Sequence, residues 1–173
     1  ALSKGMTVNL YLEDWSNGMI NSPDYVFAMT DALKDSGIRR FMLPDTLGIL
    51  SPEQTYDFCY RMTSRYPDIH FDFHGHNDYD LSVADSMAAV RAGVRGVHVT
   101  VNGLGERTGN TPVSSLAGVL NDHLKVPNTL NENELTSVCR YVESISGIRI
   151  PANKPIVGDA VFTQSAGIHA DGD

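Results

Sequence analysis

The sequence predicts an α/β fold built from four parallel βα units, and three observations predict it. Extended segments alternate with helical ones through residues 6–104. The extended segments start roughly every 30 residues, about one eighth of a barrel of ~250 residues. Each extended segment also ends in polar side chains, and parallel α/β folds carry their ligands at the carboxyl ends of strands. Alternating βα units imply a parallel sheet covered by helices. Four of them fit half of a (β/α)8 barrel or one piece of a doubly wound sheet.

The first extended segment, "MTVNLYLE" (6–13), ends in Glu13 and Asp14. These two adjoin, so only one can face inward along a strand. That weakens a paired-carboxylate acid–base site, and Asp14 equally suits a cap on the next segment. "SPDYVFAMTDALKDSG" is a helix with Ser22 as N-cap, Pro23 at its first position and Gly37 as its stop. "IRRFMLPDT" (38–46) is the second strand and ends in Asp45 and Thr46. The Thr46 hydroxyl could hold a carboxylate or carbonyl, or serve a turn or cap. "SPEQTYDFCYRMTSRYP" repeats the helix-start device with Ser51 and Pro52.

The third strand, "IHFDFHGH" (69–76), carries two histidines two residues apart. Residues i and i+2 of a strand share a side, so His74 and His76 aim at one point, and Gly75 leaves room for close approach. Two converging imidazoles suit a metal ion; a pair of solvated strand-end histidines is the alternative. "DLSVADSMAAVRAG" is the next helix and stops at Gly93. "GVHVTVNGL" (96–104) is the fourth strand, with the polar residues Asn102, Glu106, Arg107 and Asn110 at and beyond its end. Four polar strand ends in succession build a polar rim. His70, His98 and His123 show no convergent partners and read as ordinary strand and surface histidines.

"GLGERTGN" could cradle a phosphate through backbone N–H groups, although it matches neither the P-loop nor the dinucleotide fingerprint. "NENELTSVCRYVESISG" is a helix capped by Asn131 and stopped by Gly147. The Pro- and Gly-rich remainder reads as an arm leaving the main body. Residues 1–124 then form the barrel part, and residues 125–173 the post-barrel helix and arm.

Composition narrows the classes. The chain has 173 residues with 42% hydrophobic content, enough for one domain with a real core. Its net charge of −8 argues against a nucleic-acid surface. No apolar run approaches a membrane span, and "ALSKGMTVNL" is no signal peptide. Cys59 and Cys139 stand alone, which points to a reducing, cytoplasmic setting without disulfides. The abrupt ends suggest a fragment of something longer.

"FHGHND", "GLGERTGN" and "AGIHADGD", in this order, resemble the DRE-type metal-dependent TIM-barrel acyltransferase family, which includes 2-isopropylmalate, homocitrate and citramalate synthases. The resemblance runs nearly end to end and is strongest to the citramalate synthases. It implies the second half of a (β/α)8 barrel, entered near its fifth strand, and a divalent metal ion (Zn, Mn or Mg) held by His74, His76 and Asn110. It also implies a catalytic Glu13 in "LYLED", a keto-acid carboxylate on Thr46, and a homodimer in which the arm carries His169 into the neighbouring subunit's site.

The implied reaction is a Claisen-type condensation of acetyl-CoA with a small 2-keto acid. Tyr11, on the side of Glu13 by strand alternation, would narrow the pocket to pyruvate, giving citramalate on the way to isoleucine. If Tyr11 instead packs in the core, that inference lapses. 2-Isopropylmalate synthesis, or an inactive half-barrel, are the alternatives. A hydroxymethylglutaryl-CoA lyase is disfavoured because "NGLGERTGN" lacks a cysteine.

Overall fold

A computed structural model describes residues 1–164 of the chain. Its framework is a four-stranded, all-parallel sheet in the order β1-β2-β3-β4, with β1 Asn9–Tyr11, β2 Arg40–Asp45, β3 His70–Gly75 and β4 Gly96–His98. The fold is α/β, one part of a TIM barrel. Each strand pairs with the next in sequence, so every connection must cross over the sheet, and helices supply the crossovers. These are α1 Trp15–Asn21 with α2 Pro23–Leu33, then α3 Pro52–Arg65, then α4 Ser82–Arg91.

Strand alternation sorts the side chains between two faces. Leu10, Leu12, Phe41, Leu43, Phe71 and Phe73 face the helices, where Trp15, Met19, Cys59, Met62 and Ala89 complete the core. Phe41, Leu43 and Phe73 are wholly buried there. Tyr11, Met42, Asp72, His74 and His98 lie on the opposite face, in register Tyr11–Met42–Asp72 and His74–His98. The inner face of the half-barrel is therefore polar, and Tyr11 is 48% exposed on it.

Local chemistry starts and stops the elements. Ser51 and Gln54 form a capping box: Gln54 N–H donates to Ser51 Oγ, Ser51 N–H donates to Gln54 Oε1, and Pro52 occupies the first helical position. Ser22 precedes α2 with no side-chain cap, so Pro23 and Asp24 mark that start. The buried Asp45 carboxylate accepts from Ile49 N–H and Leu50 N–H, both at 3.1 Å, and folds the turn beyond β2.

The extended segments at 6–13 and 96–104 yield only three-residue strands. Asn102 adopts φ 61 within the turn Val101–Gly103, which ends the fourth extended run. After α5 (Val113–Gly118) and a π-helical turn (Val119–Leu124), α6 (Leu135–Ser146) packs back on the fourth strand's extension. There Cys139, Ile150 and Val157 form a small second core with Val101, and Asn102 Nδ2 donates to Cys139 O at 2.9 Å.

Candidate active site

The site grows from period two on β3. His70, Asp72 and His74 share the inner face, and His76 lies just beyond the strand. The His74 and His76 rings lie 5.1 Å apart between centroids and nearly perpendicular. Gly75 serves packing, because a Cβ there would come within 2.9 Å of the Phe73 ring.

The loop after β4 is laced to the end of β3. Thr111 N–H donates to Gly75 O, Asn77 N–H donates to Gly109 O, and His76 bridges Asn110. This brings Asn110 beside the two histidines. Its Nδ2 donates to Leu104 O at 3.2 Å, which leaves Oδ1 free. Arg107 holds the loop in place through two hydrogen bonds to Asp78, at 2.8 and 2.9 Å, and a third to Thr46 O at 2.9 Å. The Arg107 guanidinium keeps the Asp78 carboxyl below the usual carboxylate range.

His74 Nδ1, His76 Nδ1 and Asn110 Oδ1 are buried without a hydrogen-bond partner, and neither imidazole bonds to any described residue. Leaving a buried polar atom unpaired costs about 1–3 kcal/mol, so three together need an explanation. Burial first, then His76 and His98, lower the His74 pKa to about 4, against the pull of Glu13. His74 is thus a neutral imidazole at neutral pH, the form that ligates metals. Two imidazoles and an amide oxygen fit a divalent cation. They are only part of a ligand set: among the described residues no three His, Cys, Asp or Glu side chains cluster closely enough to hold a metal ion.

Glu13 lies on the same rim. Thr46 Oγ1 donates to Glu13 Oε1 at 2.8 Å and accepts from Asp14 N–H at 3.2 Å. The Thr46 proton is therefore committed to Glu13, and it reaches a substrate carboxylate only if Glu13 releases it. Asp14 leads into α1 but accepts from the Asn17 side chain, not from a helix N–H.

Tyr11 stands between these groups, with its ring 6.4 Å from His74 and 5.7 Å from His98. Its hydroxyl meets His98 Nδ1 at 3.0 Å. His98 Nε2 in turn meets Asp72 Oδ2 at 3.3 Å. His70 Nε2 lies 2.8 Å from Asp72 Oδ1, and Arg40 Nε donates to Asp72 Oδ2 at 2.7 Å. Burial opposes the Asp72 charge, yet Arg40 and the two imidazoles outweigh it and hold the carboxyl below its ordinary value. Burial, then the Asp72 and Glu13 charges, push the Tyr11 hydroxyl up.

This corrects the expectation that His70 and His98 lack convergent partners. Both meet on Asp72, and His98 also faces Tyr11. The run "HFDFHGH" signals half of this, since period two aligns 70, 72 and 74. The cross-strand register that brings in His98 and Arg40 has no such signal. His169 lies outside the described residues.

A half-barrel whose metal-ligand-type and carboxylate side chains converge at the strands' carboxyl ends defines a TIM-barrel protein with its site on the catalytic face. The known proteins it is similar to narrow that class. A family profile described as HMGL-like matches residues 1–142. The chain is 37% identical over 173 residues to a Methanopyrus kandleri protein assigned as an (R)-citramalate synthase, covering 99% of the chain and 33% of that protein. It is 37% identical over 172 residues to a homocitrate synthase of Sulfolobus acidocaldarius, covering 99% and 36%. Among solved structures, an HMG-CoA lyase of Bacillus subtilis superposes with TM-score 0.75 at 20% identity, over 88% of the chain and 54% of that structure. At that identity the superposition speaks for the fold alone.

The chain belongs to the HMGL-like family, and a citramalate synthase and homocitrate synthases are among the proteins it is similar to. It spans about a third of the length of these curated relatives.

Proposed function

We propose that the full-length protein condenses acetyl-CoA with pyruvate to give citramalate, in the cytoplasmic synthesis of isoleucine. The observation that carries the reading is the grouping of His74, His76 and Asn110, each with a buried unpaired side-chain atom, beside the Glu13–Thr46 pair. His74, His76 and Asn110 would hold a divalent ion, whose bound chemistry is Lewis-acid polarisation of a keto carbonyl. Glu13, oriented by the Thr46 hydroxyl, shares with His169 the removal of a methyl proton from acetyl-CoA. The resulting carbon nucleophile forms a bond to the keto carbon of the second substrate as the C=O π bond opens to an alkoxide, which takes up a proton; water then cleaves the thioester to a carboxylate and releases CoA. The −8 net charge disfavours anionic substrates unless positive charge is held locally, and a metal ion at this rim supplies it.

Tyr11 supports the small substrate. It projects into the open face next to Glu13 and His74 and does not pack into the helix-side core. The homocitrate synthases among the relatives favour a longer keto acid as the second reading. A lyase reading finds no support, since both cysteines are buried away from the rim, Cys59 in the helix-side core and Cys139 on the buried side of α6.

The test is kcat/KM with acetyl-CoA for pyruvate against 2-ketoisovalerate in the full-length protein, before and after Tyr11→Ser. Pyruvate should lead by roughly 10–200-fold per missing methyl group, and Tyr11→Ser should erode that lead. A wild-type preference for the branched acid ends the citramalate assignment and leaves the reaction class standing.

A further inference from the structure

We infer that Asp72, acting through His98, fixes which way the Tyr11 hydroxyl points its proton, and so makes Tyr11 a wall that admits an uncharged keto-acid side chain and rejects one ending in a carboxylate. The inference rests on the reading that this rim binds a 2-keto acid. It goes beyond the size of Tyr11 to its polarity.

The argument starts at the buried end. Asp72 is fully buried, and Arg40, a permanent cation, donates to its Oδ2 at 2.7 Å. A carboxylate so paired only accepts hydrogen bonds. His98 Nε2, 3.3 Å from the same oxygen, must therefore carry a proton. In the neutral ring Nδ1 is then bare, and it can only accept from the Tyr11 O–H at 3.0 Å. A phenol has one proton, and here it points at His98. Toward the site the oxygen offers only lone pairs.

Two acceptors that meet without a proton between them repel. A substrate side chain ending in a methyl group meets the Tyr11 ring and oxygen without conflict. One ending in a carboxylate sets acceptor against acceptor, with its negative charge against the Tyr11 lone pairs and no proton between them. His98 and Asp72 are positioning residues in this scheme: they touch Tyr11 and each other, and Tyr11 meets the substrate.

The first measurement is nitrogen-15 NMR of the histidine rings in the full-length protein. His98 should show a protonated Nε2 and a bare Nδ1. A proton on Nδ1, in the other tautomer or in an imidazolium, overturns the inference. The second is the ratio of kcat/KM for a keto acid with a distal carboxylate to that for pyruvate. His98→Leu frees the Tyr11 proton to turn into the site and should raise the ratio tenfold or more. His98→Gln restores an acceptor for Tyr11 and a donor for Asp72, and should return the ratio to within about threefold of wild type.

Tyr11→Phe, which keeps the ring and removes the lone pairs, should raise the ratio without refolding the network. A ratio unmoved in both His98→Leu and Tyr11→Phe, or equal in His98→Leu and His98→Gln, means that His98 only supports packing and overturns the proposal. If the wild-type protein condenses no 2-keto acid, the parent reading fails and the substrate consequence falls with it. The tautomer then decides by itself whether Asp72 sets the Tyr11 proton.

Discussion

The inner face of β3 concentrates the chemistry in single residues. Among the described residues His74 has no hydrogen-bond partner, and its pKa is lowered to about 4, with burial as the main cause. In the unfolded chain a histidine titrates near 6.5, so the folded state binds fewer protons between those values. The His74 contribution to stability is therefore fully present above pH 6.5 and is lost as pH falls toward 4. Denaturant titrations of metal-free protein should show His74→Gln removing this contribution, a change of no more than ~3 kcal/mol across the window. In the metal-loaded protein His74→Ala should weaken metal binding by at least 10–100-fold. Unchanged metal stoichiometry in the His74→Ala/His76→Ala double variant, read by metal analysis, would remove the proposed ligand set.

Among the elements, α3 and α4 meet across a buried carboxyl. Asp85 of α4 is 2% exposed and its Oδ1 has no hydrogen-bond partner. Burial first, then Asp45, push its pKa up to about 7, against the help of Thr55. The sign is opposite to that of His74: the folded state holds the proton, so the stabilising contribution is complete below the ordinary aspartate value and is lost as pH rises through 7. The two groups pull in opposite directions across overlapping windows, so wild type should look nearly insensitive to pH where each single variant is not. Asp85→Asn should stabilise the protein at pH 8 by about 1–3 kcal/mol and do little at pH 4, as read from denaturant midpoints. Equal effects at the two pH values would place the Asp85 proton elsewhere.

The helices that flank this pair are legible in the sequence because Ser51-Pro52 and the stop at Gly93 are local signals, and Gly93 does adopt φ 92. Helix α1 is not. "WSNGMIN" has two Asn and a Gly, poor helix formers, and it folds because Trp15 and Met19 enter the core. Gly18 fits there since a Cβ would come within 2.8 Å of Val26 Cγ2. Tertiary packing decides such a helix, and no local rule anticipates it. Strand register is equally nonlocal, which is why spacing alone pairs His74 with His76 and leaves the Tyr11–His98–Asp72 chain hidden.

At the scale of the molecule, the parallel sheet ends at β1 and β4, each with one unpaired edge among the described residues, and its polar inner face is open. A barrel closes such edges with further strands. The 173-residue chain by itself should therefore bind a divalent ion at least 10–100-fold more weakly than the full-length protein, by calorimetry, because it supplies only part of a ligand set.

Closure of the barrel leaves out His169, which lies outside the described residues, beyond the stretch of turns that follows α6 at Gly147. If the arm that carries it crosses to a neighbour, Glu13 and His169 of one site come from two chains. Glu13→Gln and His169→Ala full-length variants should each be inactive alone. Mixed under conditions of subunit exchange, half of the dimers are hybrids, and each hybrid holds one site with both residues intact. About one quarter of all sites should then be active. Steady-state turnover of the mixture measures this directly, with hybrid formation checked by mass spectrometry. Hybrids that form and stay inactive would place Glu13 and His169 of each site in one chain, and the arm would then fold back on its own barrel.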